Sequence, residues 1–365
     1  LAIGAAVYVF RPVANVGPPA ASPSSPPSSP GQTAAASLSS ALTGAPSIDR
    51  GTSGVSIGLA DGRVLLAGGG PSDTAELYDP ATGTWRATGT MIVARKYPVW
   101  ARLTDGRVVV AGGTNQGGVA LDSVEIFNPT TGTWTATGSM TVARGQALAT
   151  LLADGKVLVA GGGSNPLSTT AEVYDPATGK WAPTGDMTSG RAGPLSATLL
   201  DDGRVLVTGG FTADQQSAEL YDPATGTWSA TARMSGKKVD EQTATKLGDG
   251  RVLVVGSQPT LAEVFDPGTS TWTIVPTVAA LGDLLDTVLL DNGKVLLFGG
   301  TNRLGVAGGA ELFDPSTGTL TDAGLLAEIR FVRSATLLPN GSVLVVGSTT
   351  SNPSAPIAEI YQPRP

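Results

Sequence analysis

The chain has 365 residues, of which 49 are glycine and none is cysteine or histidine, and its formal net charge is −7. Because a phosphate-binding surface needs clustered Lys and Arg, this acidic balance argues against a nucleic-acid partner. The missing cysteines exclude disulfides and thiolate chemistry, and the missing histidines remove the usual metal ligand and general base. We therefore predict no metal site and no cofactor.

Two segments precede the repetitive part of the chain. Residues 1–12 open with a ten-residue apolar stretch, whereas a helix spanning a bilayer takes roughly 20 residues. Since the chain does not start with Met, we interpret this stretch as the end of a signal-anchor or signal peptide, with a loose apolar N-terminus as the alternative. Residues 13–36 are rich in Pro, Ser and Ala and predict an extended linker. Together they favour an extracellular or cell-surface location with a membrane-associated N-terminus.

From about residue 37 onwards, one unit of about 43 to 49 residues recurs seven times. Each unit predicts four strands, a to d, and a two-residue Asp-Gly or Asn-Gly turn suits the hairpin between a and b. Strand c carries a Glu-x-aromatic sequence, and strand d begins at a tryptophan in five copies. The repeated glutamates are Glu76, Glu125, Glu172, Glu219, Glu263, Glu311 and Glu359. A period of this length with alternating strands and turns predicts a β-propeller.

The two ends of the repeat array are predicted to meet in one blade. Strands a, b and c occur seven times, but only six copies of strand d follow them before the chain ends after Tyr361. Residues 37–43 are therefore predicted to supply the outer strand of the last blade and to close the ring, which removes free sheet edges. The fold class is all-β, with a seven-bladed propeller over residues 37–365.

These residues resemble the kelch repeat, in which a glycine pair ends the second strand and a spaced aromatic and tryptophan mark the third and fourth. The glycine pairs are Gly68-Gly69, Gly112-Gly113, Gly161-Gly162, Gly209-Gly210 and Gly299-Gly300. The resemblance, to the galactose oxidase central-domain-like superfamily and to non-enzymatic surface proteins of bacterial type, implies a rigid platform that binds proteins or glycans. The copper-radical chemistry of galactose oxidase needs His and a Cys-linked Tyr, so we expect that chemistry to be absent.

The variable loops indicate where a site lies. The a–b and c–d turns share one face and hardly change between copies, whereas the b–c and d–a loops share the other face and differ, as binding loops on a rigid scaffold do. The d–a loops carry a cation in most blades: Arg50, Arg95, Arg144, Arg191, Lys238 and Arg330. These cations either ring the channel mouth as an anion site or pair with the strand-c glutamates as a repeated structural bridge.

Other departures from the repeat complete the candidate site. Trp100 stands where other copies have small residues, so with Tyr97 it forms either a packing element or a stacking platform for a sugar ring. The candidate ligand-binding residues are Arg95, Tyr97, Trp100, Arg144, Arg191, Asp240, Glu241, Asp286, Arg330 and Arg333, and no catalytic residue is assigned.

The predicted function is an extracellular binding or scaffold module that recognises a protein or glycan through the b–c/d–a face. We favour a protein without enzymatic activity over an enzyme. One alternative is a sialidase- or epimerase-like enzyme that acts on carbohydrates in the channel mouth. The other is a structural component of a surface layer or appendage.

Overall fold

Seven four-stranded antiparallel sheets follow one another along the chain, each with the strand order that the repeat predicts. The computed structural model describes residues 40–47, 54–69, 73–163, 167–235, 239–258, 260–276, 284–299, 309–329, 331–349 and 356–363. These residues contain 28 strands and no helix, so the prediction of an all-β, seven-bladed propeller is confirmed.

The blades are numbered from the first complete sheet, and their strands have the following bounds. Blade 1 contains β2 (Gly54–Gly58), β3 (Val64–Gly68), β4 (Ala75–Asp79) and β5 (Thr84–Ala87). Blade 2 contains β6 (Val99–Arg102), β7 (Val108–Ala111), β8 (Val124–Asn128) and β9 (Thr133–Ala136). Blade 3 contains β10 (Leu148–Leu151), β11 (Val157–Ala160), β12 (Ala171–Asp175) and β13 (Lys180–Thr184).

The remaining blades have the same order with longer inner strands. Blade 4 contains β14 (Ala192–Leu199), β15 (Val205–Phe211), β16 (Ala218–Asp222) and β17 (Thr227–Ala230). Blade 5 contains β18 (Val239–Lys246), β19 (Val252–Gln258), β20 (Thr260–Asp266) and β21 (Thr271–Val275). Blade 6 contains β22 (Leu284–Leu289), β23 (Val295–Gly299), β24 (Gly309–Asp314) and β25 (Thr319–Leu325). Blade 7 contains β26 (Phe331–Leu337), β27 (Val343–Ser348), β28 (Ile357–Tyr361) and β1 (Ala41–Leu42).

In each blade a tight turn connects the inner strand to a second, largely buried strand. In blade 1, the N–H of Gly62 donates to the carbonyl of Leu59, and Gly62 has the left-handed φ of 86° that this turn requires. In blade 3, Val157–Ala160 is buried along its whole length. Such a strand has apolar side chains on both faces because a neighbouring blade covers each face.

The aromatic and tryptophan of each repeat form the seam between neighbouring blades. The rings of Phe127 and Trp134 lie 5.0 Å apart, and Trp134 Nε1 donates to the carbonyl of Gly89 in the preceding blade at 2.8 Å. Trp181 repeats this bond to Gly138 at 2.8 Å. The tryptophans thus contribute a hydrogen bond and aromatic packing to the inter-blade contact.

The ring closes as the strand count predicts. Strand β1 pairs with β28 in antiparallel register, with Leu42 opposite Glu359. The hydroxyl of Thr43 contacts the hydroxyl of Tyr78 in blade 1 at 3.1 Å and donates to the carbonyl of Gly83 at 3.0 Å. The closing strand is confirmed at Ala41–Leu42, and residues 37–39 lie outside the described residues.

The predicted signal segment and linker, residues 1–12 and 13–36, also lie outside the described residues. Within the part of the chain that the structure describes, no helix is long and apolar enough to cross a membrane.

Candidate binding face

The two faces of the ring differ in chemistry. The turn face, formed by the a–b and c–d turns, carries a repeated ion pair within each Asp-Gly-Arg or Asp-Gly-Lys turn of blades 1–5. The pairs are Asp61–Arg63, Asp105–Arg107, Asp154–Lys156, Asp202–Arg204 and Asp249–Arg251. In three of them the arginine also donates to a proline carbonyl of the next blade, namely Pro129, Pro267 and Pro315. These local charges of the turn face are therefore already paired.

The loop face, formed by the b–c and d–a loops and the adjoining strand ends, carries most of the large apolar side chains that are exposed among the described residues. They are Ile92, Tyr97, Trp100, Val119, Val142, Phe211, Leu325 and Phe331. Of the other three, Leu289 lies at the turn face, and Leu42 and Ile274 lie on the outer strands β1 and β21. Apolar side chains gathered on one face of a soluble domain are typical of an interaction surface.

Blade 2 contributes a part of this surface whose loops are held by hydrogen bonds. Its b–c loop folds into a tight turn, in which the N–H of Asn115 donates to the carbonyl of Val119 at 2.9 Å and the N–H of Val119 donates to Asn115 Oδ1 at 3.0 Å. The backbones of Lys96 and Thr114 exchange two hydrogen bonds of 2.8 Å, which attaches this turn to the d–a loop beside Tyr97. Val119 is 63% exposed at the end of this turn.

Tyr97 has an uncommon backbone conformation. Its φ is 50°, a region that a bulky residue seldom adopts. The equivalent positions of the next two blades, Gln146 and Gly193, have φ values of 58° and 90°. The left-handed residue is therefore part of the loop design in blades 2–4, and in blade 2 it presents a tyrosine that is 42% exposed.

Trp100 lies on the inner strand of blade 2 and is 38% exposed. The equivalent positions hold Ser56, Ala149, Ala197, Ala244, Thr287 and Ala335. Side chains at this position point towards the preceding blade, since Thr287 contacts Thr243 and Thr245 of blade 5 at 2.8 and 2.7 Å. Trp100 is therefore directed towards blade 1 at the ring axis and remains open to solvent, instead of filling an interior void.

Arg95, Arg144 and Arg191 are buried and bonded in the same way. Each binds the carbonyl of the first glycine of its blade's glycine pair and the strand-c glutamate of the same blade. The guanidinium–carboxylate distances are 2.6 Å to Glu125, 3.1 Å to Glu172 and 3.0 Å to Glu219. These arginines form the repeated structural bridge and are not exposed at the channel mouth, so they are not available to bind a ligand there.

The glutamate of this bridge also fixes the incoming d–a loop. Glu172 accepts hydrogen bonds from the backbone N–H groups of Thr141 and Val142, at 2.6 and 3.2 Å, in addition to those from Arg144. Burial by itself raises the pKa of Glu172, but the hydrogen bonds from Thr141 and Arg144 outweigh burial and hold that pKa below its ordinary value of 4.5. The same contact to the backbone recurs in blade 7, where Glu359 accepts from the N–H groups of Ala327, Glu328 and Ile329.

The acidic departures in blades 5 and 6 lie on irregular inner strands. Asp240 and Glu241 fall in the bulge of β18, and Arg333 falls in the bulge of β26, where it is half-buried. Asp286 accepts hydrogen bonds from the N–H of Thr287 at 2.8 Å and from the N–H of Ala335 in blade 7 at 2.7 Å. Burial raises its pKa to about 6, although both hydrogen bonds act in the opposite direction.

Some of the predicted cationic positions cannot be placed. Arg330 lies outside the described residues, as do Arg50 and Lys238. Across the described residues, no group of three or more acidic side chains is arranged to hold a metal ion.

Sequence reasoning missed most of the exposed apolar residues of the loop face, among them Ile92, Val119 and Phe211. Val119 has a sequence signal, because it follows Gly117-Gly118 in a long b–c loop. Ile92 lies in the apolar run 91–94 of a d–a loop, and Phe211 is the last residue of β15, so their exposure depends on how the loops pack.

Comparison with known proteins agrees with this architecture. The family model described as the Kelch motif matches residues 101–141, 148–188 and 195–235, and each match runs from strand a of one blade to the loop after strand d. The chain is a seven-bladed β-propeller with kelch repeats, an architecture that in general serves as a protein-binding or scaffold module.

Sequence comparison with curated proteins gives no match. One similar solved structure is described as a novel fungal alcohol oxidase with catalytic diversity among the AA5 family, in complex with copper. The two chains share 17% identity with a TM-score of 0.70, over 89% of this chain and 76% of the oxidase. At this identity the likeness concerns the fold, and function has to be argued from the residues of this chain.

Proposed function

We propose that this propeller is a binding module whose loop face docks a protein partner, with blade 2 at the centre of the contact. The observation that carries the proposal is the concentration of exposed apolar side chains on the loop face, opposite a turn face whose repeated charges are paired. Interface centres are depleted of charge and enriched in aromatic and apolar side chains. Tyr97 and Val119, on the two loops that the Lys96–Thr114 bridge joins, supply such a centre.

The order of the blade 2 loop supports a preformed surface. Its turn is closed by hydrogen bonds of 2.9 and 3.0 Å, so Val119 needs little further ordering when a partner binds. Preorganisation of this kind lowers the entropic cost of association. A location outside the cell is part of the proposal and is supported by the apolar segment and the Pro/Ser-rich linker of residues 1–36.

The proposal is tested by differential capture with the full chain. Val119→Asp places a charge in the proposed centre, and Leu289→Lys is the matched control because the equivalent position of blade 5 is Lys246. Proteins retained by wild type and by the control but lost from Val119→Asp are then purified, and their affinities are measured by calorimetry. We expect at least a tenfold loss of affinity for Val119→Asp. Equal affinity for all three chains would refute the loop face as the binding surface.

A glycan is the second candidate ligand, favoured by the two exposed aromatics Tyr97 and Trp100 near the ring axis. Aromatic rings present a flat apolar surface with polar edges nearby, which suits a sugar. A glycan array with the full chain separates the candidates, because glycan binding is expected to be lost in Trp100→Ala and retained in Val119→Asp. An array that is silent for the wild-type chain removes the glycan candidate.

A further inference from the structure

A cavity of about 440 Å³ opens on the turn face, away from the proposed docking surface. Residues from blades 1, 2, 6 and 7 line it, including Gly58, Arg102, Asp291 and Pro339. Cavities of this size hold small molecules when a few polar groups converge on them. The equivalent positions of other blades show which polar groups of this cavity lack a partner.

Blades 4 and 5 show how charges at these two positions can satisfy each other. Lys246, the last residue of the inner strand of blade 5, binds Asp201 of the preceding blade, with Nζ and Oδ1 2.6 Å apart. Asp201 stands directly before the Asp-Gly turn of blade 4. An inner-strand cation and a turn carboxylate from the blade before it thus form an ion pair across the seam.

Arg102 holds the position of Lys246 in blade 2, but it lacks the carboxylate. The residue of blade 1 that corresponds to Asp201 is Ala60. Among the described residues, the polar contact of the Arg102 guanidinium is one bond from Nη1 to the carbonyl of Gly58, at 3.1 Å. Its remaining donors lie at the cavity and have no acceptor among the described residues.

Asp291 is the complementary case. It holds the position of Asp201 in blade 6, but the residue of blade 7 that corresponds to Lys246 is Leu337. Asp291 is exposed and forms no ion pair or hydrogen bond with any described residue. The same cavity is therefore lined by a cation and an anion, Arg102 and Asp291, neither of which has an ion-pair partner among the described residues, and by Arg63, which binds Asp61.

The floor between these two charges is small and apolar. Gly58 stands where the other inner strands carry Arg102, Leu151, Leu199, Lys246, Leu289 and Leu337, so blade 1 contributes no side chain at this position. Leu338 and Pro339 of blade 7 complete the wall. Three departures from the repeat, at Gly58, Arg102 and Pro339, thus meet at one place.

A second cavity on the same face provides the contrast. It lies between blades 5 and 6, with a volume of about 490 Å³, and its lining charges are paired. Arg251 binds Asp249 at 2.6 Å, and Lys294 binds Asp314 at 3.4 Å. A charged rim alone is therefore not what distinguishes the cavity at Arg102.

We infer that the cavity between Arg102 and Asp291 binds a small zwitterionic molecule, one with a carboxylate and an ammonium group separated by an apolar spacer. The guanidinium of Arg102 binds the carboxylate, since its forked donors match carboxylate geometry. Asp291 binds the ammonium group, and the leucine and proline side chains contact the spacer. Free amino acids, ω-amino acids and short peptides have this chemistry. The inference is independent of the loop-face proposal, because the two sites lie on opposite faces.

The test is calorimetric titration of the full chain with glycine, 4-aminobutyrate and 6-aminohexanoate, and with hexanoate and hexylamine as singly charged controls. We expect saturable binding of one zwitterion, at least tenfold tighter than either control. The spacer length that binds best reports the separation of the two charges. Hexanoate binding as tight as that of the best zwitterion would overturn the role of Asp291, and no binding of any zwitterion at millimolar concentrations would overturn the proposal.

Ala60→Asp is the decisive variant because it removes no charge. It copies Asp201 and gives Arg102 the partner that Lys246 has, so it is expected to abolish zwitterion binding while the fold is kept. Arg102→Leu and Asp291→Ala use residues found at equivalent positions of other blades and are each expected to weaken binding at least tenfold. Lys246→Leu is the control and is expected to bind like wild type. Binding that survives both Ala60→Asp and Arg102→Leu would refute the site.

Discussion

The buried bridge of blade 3 gives the sharpest test of how the blades hold their loops. Replacing Glu172 by Ala removes the carboxylate that accepts from Arg144 and from the backbone N–H groups of Thr141 and Val142. The guanidinium of Arg144 then stays buried without its counter-charge, and two amide groups lose their acceptor.

The expected cost follows from burial. Removing one partner of a buried ion pair costs about 3–5 kcal/mol, because it leaves an uncompensated charge in the interior. Glu172→Gln keeps an oxygen acceptor for Thr141 and is expected to cost less, about 2 kcal/mol. The surface pair Asp105–Arg107 is the control, because both side chains are more than a third exposed, and Asp105→Asn is expected to cost below about 1 kcal/mol.

The stabilisation that Glu172 contributes is expected to decrease at low pH. The pKa of Glu172 is lower in the folded protein than its ordinary value of 4.5, so the stabilisation is fully present above that value and is lost as pH falls through the lower, folded pKa. The stability difference between wild type and Glu172→Gln is therefore expected to be constant near neutral pH and to shrink below about pH 4.5.

The assay is guanidinium denaturation of the full chain, followed by tryptophan fluorescence and circular dichroism, with free energies of unfolding compared at pH 7 and in a series down to pH 4. If Glu172→Ala and Asp105→Asn lower the free energy of unfolding by the same small amount, the bridge is not a structural element. The arginines would then regain their interpretation as a ligand-binding ring.

Three further predictions concern other parts of the ring. Burial raises the pKa of Asp286 in the folded protein to about 6, so ionisation of this carboxyl destabilises the fold as pH rises from about 4 to 6. In denaturation at pH 7, Asp286→Asn is expected to be about 1–3 kcal/mol more stable than wild type. In denaturation near pH 4, the two proteins are expected to be equally stable. Thr43→Val removes the bond that closes the ring onto Gly83, and we expect a loss of about 1 kcal/mol in the same assay. Trp100→Ala is expected to lower the free energy of unfolding by less than about 1.5 kcal/mol, because the side chain is 38% exposed. Trp134→Ala removes a buried side chain from the contact between two blades and is expected to lower it by about 3–5 kcal/mol. Equal losses for the two variants would contradict the placement of Trp100.

The architecture was predictable because each repeat carries its own turn and packing signals. The seven-fold recurrence of an Asp-Gly or Asn-Gly turn and a Glu-x-aromatic strand fixed the number of blades, and the missing seventh strand d fixed the closure by the N-terminal segment. Both follow from local chemistry: a residue such as Gly62 must adopt a left-handed φ, and a residue such as Trp134 needs a neighbouring blade to cover it.

The candidate site was less predictable because exposure depends on packing between blades. Arg95 and Arg102 are both arginines in blade 2, yet Arg95 is buried against Glu125, whereas Arg102 faces a cavity and forms no ion pair with a described residue. The sequence contains a signal for this difference, namely that Lys246 has Asp201 in the preceding blade while Arg102 has Ala60. The signal becomes informative only when the structure shows that these two positions touch.

The bulged inner strands are a second feature that the repeat hides. Residues that depart from the pattern, such as Asp240 and Arg333, lie in bulges that shift the register of β18 and β26. A bulge re-aims the side chains next to it, and its position depends on pairing with the neighbouring strand as well as on local sequence. For this reason the sequence shows which residues depart from the repeat but does not show in which direction their side chains point.

The most direct test of the loop-face proposal is hydrogen exchange of the full chain, measured with and without the protein partner that differential capture identifies. We predict that bound partner slows exchange in residues 88–98 and 112–123, the two loops that carry Ile92, Tyr97 and Val119, and leaves the turns at 59–63 and 103–107 unchanged. Slowed exchange confined to those turns, with the loops unaffected, would contradict the central claim that this propeller binds its partner through the loop face.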